Sequence, residues 1–182
     1  GRSRTTPDAA GAIGRWRLAF ASCQQYEQGY YGAYRHLLAD GVDLVVFLGD
    51  YIYESSWGQH HVRHHGTPEP VTLDEYRARH ALYRSDPHLQ AMHAAVPWVA
   101  CWDDHEVQND YAGDQAQDLA PDFPWRRAAG YRAWAETMPQ RPMARRMAQA
   151  VACVMAGASA DAGQGRAGQS EAGCSVALAD WQ

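Results

Sequence analysis

Apolar residues come along this chain in short runs with two kinds of spacing. "WRLAFASC" (Trp16 to Cys23) and "DLVVFLGD" (Asp43 to Asp50) are brief and bounded by loop residues, and both read as buried strands. "PWVACW" (Pro97 to Trp102) reads as a third. Between the first two, Tyr30, Tyr34, Leu37 and Leu38 recur at helical spacing, and Gly41 supplies a C-terminal stop. Strand, helix and strand within about thirty residues make a βαβ unit. Apolar runs without polar alternation imply strands covered on both faces, so the fold class is α/β, a layered sheet with flanking helices. The stretch "TLDEYRARHALYRSD" opens on a capping box, Thr72 with Glu75, and Leu73, Tyr76 and Tyr83 give it a partly apolar face. Asp86 and Pro87 restart a helix that runs through about Ala95. Pro124 opens one more, "PWRRAAGYRAWAETM", whereas "ESSWGQHHVRHHGTPEP" is a loop by composition.

After Pro142 the pattern stops. Met143 to Gln182 is rich in Ala and Gly and contains no Tyr, Phe, Ile, His or Pro. A weak helix is expected over Arg145–Ala156 and a low-complexity linker over Gly157–Ala172. The chain thus divides into an N-terminal segment (1–15), a domain (16–142) and an Ala/Gly-rich tail (143–182).

Composition narrows the class. With 46% hydrophobic and 20% charged residues the chain has the balance of a globular domain. A net charge of -5 and the lack of a basic block give no footing for nucleic acid as a stable partner. All 16 basic residues are Arg, which reads as the codon bias of a GC-rich gene. No apolar run approaches the ~18 residues of a membrane span. The start has neither an apolar signal core nor Met, as in a processed product or an internal fragment. The four cysteines form no CxxC pair, so a zinc knuckle or thioredoxin motif is not indicated, and Cys101 reads as a buried free thiol.

Functional residues of layered α/β sheets gather at the carboxyl ends of strands. Here those ends carry Cys23, then Asp50 with Tyr53, then Asp103, Asp104, His105 and Asn109. Each alone has an ordinary explanation as a turn former, cap or packed ring. Together they offer thiolate, carboxylate, phenolate, imidazole and amide, all of them metal ligands or supports for ligands. A phenol titrates near ~10, so Tyr53 would bind well only to a strongly acidic cation. Thiolate with phenolate suits Fe3+, and carboxylates with Asn109 suit a harder neighbour such as Ca2+.

The segments "FASCQ", "LVVFLGDYIYE", "DEYRARHALYRSDPHLQAMHAAVPWVACWDDHEVQNDYAGD" and "AWAETMPQRP" resemble the PhoD-type alkaline phosphatases of the metallophosphoesterase superfamily, from about Trp16 to Pro142. The resemblance implies a metallophosphoesterase-like sheet and hydrolysis of phosphate monoesters, or diesters, by attack of metal-bound hydroxide. It implies that Cys23, Asp50 and Tyr53 ligate iron, with Asp50 bridging to a second metal. Asp104 would face that second metal, with Asn109 as a further candidate. His105 would sit beside the substrate phosphate, and Asp103 would turn the loop. Kinship also implies a small-molecule phosphate ester as substrate and a periplasmic or secreted address; oligomeric state is left open.

Members of that family are longer, with a second half-sheet carrying more Asp and His ligands, and no His follows His105 here. The expected fold is therefore the first half of the full one. The tail reads as an out-of-frame stretch beginning near Arg141 to Arg145. The alternative function is a non-catalytic truncated fragment lacking the C-terminal metal ligands. A third reading is a cysteine hydrolase using Cys23 and His105. Arg79 and Arg84 could hold a phosphate, but solvated helix faces are the stronger expectation. The run "HHVRHH" (His60, His61, His64, His65) could bind zinc or nickel, with surface loop histidines the stronger expectation.

Overall fold

Val45 and Phe47 are fully buried, and the strand that carries them, β2 (Leu44–Leu48), forms the middle of the sheet. In the computed structural model, which describes residues 15–138, β1 (Leu18–Ala21) and β3 (Trp98–Cys101) flank it. Both pairings are parallel, with Phe20 opposite Val46 and Val46 opposite Val99. Parallel neighbours need crossovers, and these carry the helices. The β1–β2 connection holds α1 (Gly32–Asp40), and the β2–β3 connection holds α2 (Leu73–Arg84) and α3 (Pro87–Ala95). After β3 comes α4 (Phe123–Thr137), which packs on α2. The α/β class read from the sequence is the one observed.

Local chemistry explains where the helices begin and end. The Thr72 hydroxyl accepts the Glu75 N–H while Glu75 Oε2 accepts the Thr72 N–H at 2.8 Å, the reciprocal box that the spacing predicts. Asp86 Oδ1 accepts from His88 N at 2.9 Å and Leu89 N at 3.1 Å, with Pro87 in the first turn of α3. Gly41 closes α1 at φ +65°, and its N–H reaches Leu38 O at 3.2 Å.

Three expectations are corrected. The first strand is confined to Leu18–Ala21, and the chain leaves the extended conformation by Cys23, whose φ is 55°. Burial alternates along β1 and β2, so one face is closed and the other only half-covered among the described residues. Tyr30 does not belong to the apolar face of α1; it precedes the helix and is 67% exposed. The N-terminal segment through residue 14, the tail helix and linker, the boundary at Pro142 and the out-of-frame tail lie outside the described residues.

The core on the closed side is built largely from tyrosines. Tyr34, Tyr51, Tyr76 and Tyr83 are fully buried beside Phe47, Leu89 and Met92. Buried phenols need hydrogen-bond partners, and these have them. Tyr34 donates to Gln24 Oε1 at 2.6 Å, Tyr76 to Val107 O at 2.6 Å and Tyr83 to Gln25 Oε1 at 3.2 Å. Tyr83 Oη also accepts the Tyr53 N–H at 3.0 Å, which ties α2 to the segment just beyond β2.

Candidate metal centre

Three parallel strands put their carboxyl ends on one edge of the sheet, and the chain turns sharply there. Gly49, at the end of β2, has φ +102°, and a Cβ on it would lie 2.6 Å from Asp103 Cβ. Glycine is therefore required for the tips of β2 and β3 to come this close. Cys23 (φ 55°) and Asp50 (φ 56°) both take the left-handed conformation. The ladder holds them in it: Cys23 N donates to Gly49 O at 3.1 Å and Gln24 N to Asp50 O at 3.2 Å. Such backbone costs about 1–3 kcal/mol per residue and collects at functional sites.

The tips converge. Asp50, Asp104 and His105 each present a donor atom, and the three atoms lie within 4.8 Å of one another. Asp50 Oδ2 accepts the Tyr53 hydroxyl at 3.1 Å. Cys23 lies close enough to both for its thiol to interact with the Asp50 carboxyl and the Tyr53 phenol. Burial raises the Asp50 pKa, outweighing the opposing pull of His105, Cys23 and Tyr53. Burial, then Asp50 and Cys23, push the Tyr53 phenol well up, and partial desolvation pushes the Cys23 thiol up although the residue is exposed. Three donors are thus crowded together in forms resisting ionisation, and Asp50 Oδ1 is buried with no hydrogen-bond partner. A cation would reverse both conditions, so these residues fit a metal.

Two carboxylates that the sequence reading passed over support this centre. Glu54, 2% exposed, accepts from His105 Nδ1 at 2.8 Å and from Asn109 N at 2.9 Å. The His105 ring packs against Tyr53, with centroids 4.1 Å apart, and edge-on against Trp57. Burial works against a proton on His105, but Glu54, Asp50 and Asp104 outweigh it and its pKa is raised. Glu106, fully buried, accepts the N–H groups of Asp50 at 3.3 Å, Tyr51 at 2.5 Å and Asp103 at 2.6 Å. Burial lifts its pKa to about 8 despite those three donors. Glu106 thereby fastens the β2 tip to the β3 tip. Each glutamate directly follows a candidate residue, Tyr53 or His105, and that adjacency was the signal available in the sequence.

The family model described as PhoD-like phosphatase matches residues 18–161. The chain belongs to the PhoD-like phosphatase family. It is 48% identical over 149 residues to alkaline phosphatase D of Bacillus subtilis (strain 168), covering 78% of this chain and 25% of that protein. It also matches the solved "Structure of PhoD" with a TM-score of 0.64 and 52% identity, over 69% of this chain and 25% of the other. The chain therefore spans about a quarter of the length of these PhoD relatives.

In this PhoD-like chain several residues sit differently from the sequence expectation. Arg79 is neither on a solvated face nor free to hold phosphate, being 2% exposed. It donates to Tyr53 O and Glu54 O at 2.6 Å each, to Pro68 O at 2.8 Å and to Thr67 Oγ1 at 3.2 Å. Arg84 donates to Thr137 O at 2.8 Å and lies over the Tyr51 ring, bracing the end of α4. His65 leaves the surface run and is buried, with Nε2 on the Tyr83 hydroxyl at 3.0 Å and Nδ1 facing Arg79 at 3.1 Å. Burial and then Arg79 lower its pKa to about 4. Cys101 is only partly buried, its thiol directed at Phe47 O. Asp103, expected to turn the loop, donates its N–H to Glu106 Oε2 at 2.6 Å, and the turn itself opens one residue later, on the Asp104 carbonyl. The Asn109 side chain donates to Asp110 and Gln117 at 3.0 Å each, beside a polar cleft that Glu54 and Gln117 also line. A cysteine nucleophile needs a lowered thiol pKa, so the raised pKa of Cys23 gives that reading no support.

Proposed function

We propose that this PhoD-like chain provides a metal centre for hydrolysis of phosphate monoesters or diesters. The observation that carries the reading is the convergence of Asp50, Asp104 and His105 around an unpartnered, buried Asp50 Oδ1. Cys23, Asp50 and Tyr53 would hold Fe3+, for which thiolate and phenolate are suited. Asp50 and Asp104, with the Asn109 amide as a further donor, would hold Ca2+. When bound, the metals supply Lewis acidity to the phosphoryl group and acidify water. The chain's own part is orientation and proton placement. Glu54 fixes the His105 ring through Nδ1, which leaves Nε2 for a phosphoryl oxygen. The Glu54 carboxylate on Nδ1 favours the donor form of His105, which would suit the charge that develops on equatorial oxygens. Glu106 and Arg79 act only by holding the tips and the following loop in place. A small phosphate ester is the partner this reading calls for, and the alkaline phosphatase identity of the relative supports it. A periplasmic or secreted address is part of the same proposal.

Iron and calcium content of the purified chain, measured beside turnover of p-nitrophenyl phosphate at alkaline pH, tests the reading. Both metals with chelator-sensitive turnover are expected. Metal without turnover would favour the second reading, a non-catalytic fragment lacking further metal ligands. Neither metal nor turnover would remove the centre altogether.

A further inference from the structure

The histidine run meets a second buried carboxylate, away from Asp50. Glu27, just past the tip of β1, is 2% exposed. Its backbone carbonyl accepts the Val62 N–H at 2.9 Å, and Oε1 accepts the His65 N–H at 2.9 Å. The loop carrying the histidines is thereby fastened over Glu27. Oε2 is buried and has no hydrogen-bond partner.

The neighbouring rings do not remedy this. His65 Nδ1 is 3.6 Å from Oε2 but faces the Arg79 guanidinium at 3.1 Å, so its lone pair is directed there and it has no proton to offer Glu27. Arg63, on the same loop, is engaged with Asp86 Oδ2 at 2.8 Å and with Tyr26 O. Burial opposes ionisation of Glu27, but Ser56, the His65 amide and the His65 and His61 rings outweigh it, and its pKa is lowered. A buried anion is thus left with a vacant acceptor. Two further rings stand beside the other oxygen of the same carboxylate: His64 Nδ1 lies 3.7 Å from Glu27 Oε1, and His61 packs edge-on against His64. One donor atom each from Glu27, His61 and His64 falls within 4.8 Å of the others.

We propose that Glu27, His61 and His64 form a second cation site for a divalent transition metal of the zinc class, separate from the Asp50 centre. Two imidazoles and one carboxylate, with at least one position left for water, make a donor set that zinc accepts. Donors about 2.1 Å from a tetrahedral zinc stand about 3.4 Å apart. Closing the observed spacing takes roughly an ångström of movement, which the His64 side chain, 72% exposed, is free to make. The ion would fasten His61 and His64 to the β1 tip. Trp57, four residues before His61, packs on His105, so the same ion would restrain one wall of the Asp50 centre.

Zinc titration by calorimetry, on the full chain, compares the parent, the double variant His61→Ala/His64→Ala and Asp50→Asn. The parent and Asp50→Asn should share one zinc equivalent that the double variant binds at least about 100-fold more weakly. Zinc should also slow proteolytic cleavage within residues 57–66 in the parent and not in the double variant. Equal zinc binding by the parent and the double variant would overturn the proposal. A loss caused by Asp50→Asn alone would assign the zinc to the Asp50 centre and overturn it as well. Glu27→Gln, compared by circular dichroism for folding, should weaken the same equivalent; the exposed histidines keep the test decisive should that variant unfold.

Discussion

His80 gives the structure a measurable acid sensitivity. It sits on α2, 1% exposed, stacked on Tyr51 at 6.3 Å and tilted against Trp134 at 6.2 Å. Neither ring nitrogen has a hydrogen-bond partner. Burial, with Arg84 adding to it, lowers the pKa to about 3. The unfolded chain takes up this proton near pH ~6.5, whereas the folded chain holds off to about pH 3. The contribution is therefore whole above pH ~6.5 and is lost as pH falls toward the folded value, at about 1.4 kcal/mol per pH unit. Between pH 6.5 and 4.5 the loss from this one ring is roughly 2–3 kcal/mol. His80→Leu keeps the volume and removes both the titration and an imidazole N–H buried without an acceptor. Urea unfolding at neutral pH should then show unchanged or slightly higher stability, within about 1–2 kcal/mol of the parent. The difference between the two pH values should shrink by the 2–3 kcal/mol above, a comparison in which carboxylate contributions cancel. An identical pH slope in parent and variant would refute the assignment.

Other outcomes can be checked alongside. Glu54→Gln should lower any phosphatase turnover about 10–100-fold by weakening the partner of His105 Nδ1, with a smaller fall in melting temperature because the same side chain also accepts the Asn109 N–H. Gly49→Ala should cost at least about 1–3 kcal/mol in denaturant unfolding, from the positive φ and the 2.6 Å approach to Asp103 Cβ. Arg79→Ala leaves the carbonyls of Tyr53, Glu54 and Pro68 without their donor and should destabilise by at least about 2 kcal/mol, read as a fall in urea midpoint. Chelation should lower the melting temperature of metal-loaded protein, and Asp50→Asn should erase most of that difference.

Sequence patterns announced what is local. The strand centred on Val45 to Phe47, the Thr72 box, the Asp86–Pro87 start and the Gly41 stop each depend on residues a few positions apart, and each was found where expected. Parallel pairing then followed from the helices between strands, so the meeting of Asp50, Asp104 and His105 was legible as a shared sheet edge. Burial of charge was not legible. Arg79 and His65 read as surface residues because their neighbours in sequence are polar, yet both are enclosed by the loop that returns from β2 to α2. Glu54 and Glu106 earn their roles from partners more than fifty positions away, which no spacing rule reports. Tyr30 shows the converse error, a well-spaced aromatic that falls just outside its helix.

The left-handed residues at 23 and 50 set the ligand at odds with the backbone. Glycine would relax either turn but bring no side chain to a metal. Random libraries selected only for heat resistance should therefore drift toward glycine at both places and silently discard the centre. Retention of cysteine and aspartate there, under selection for catalysis alone, would mark how much folding stability the chemistry is willing to forgo.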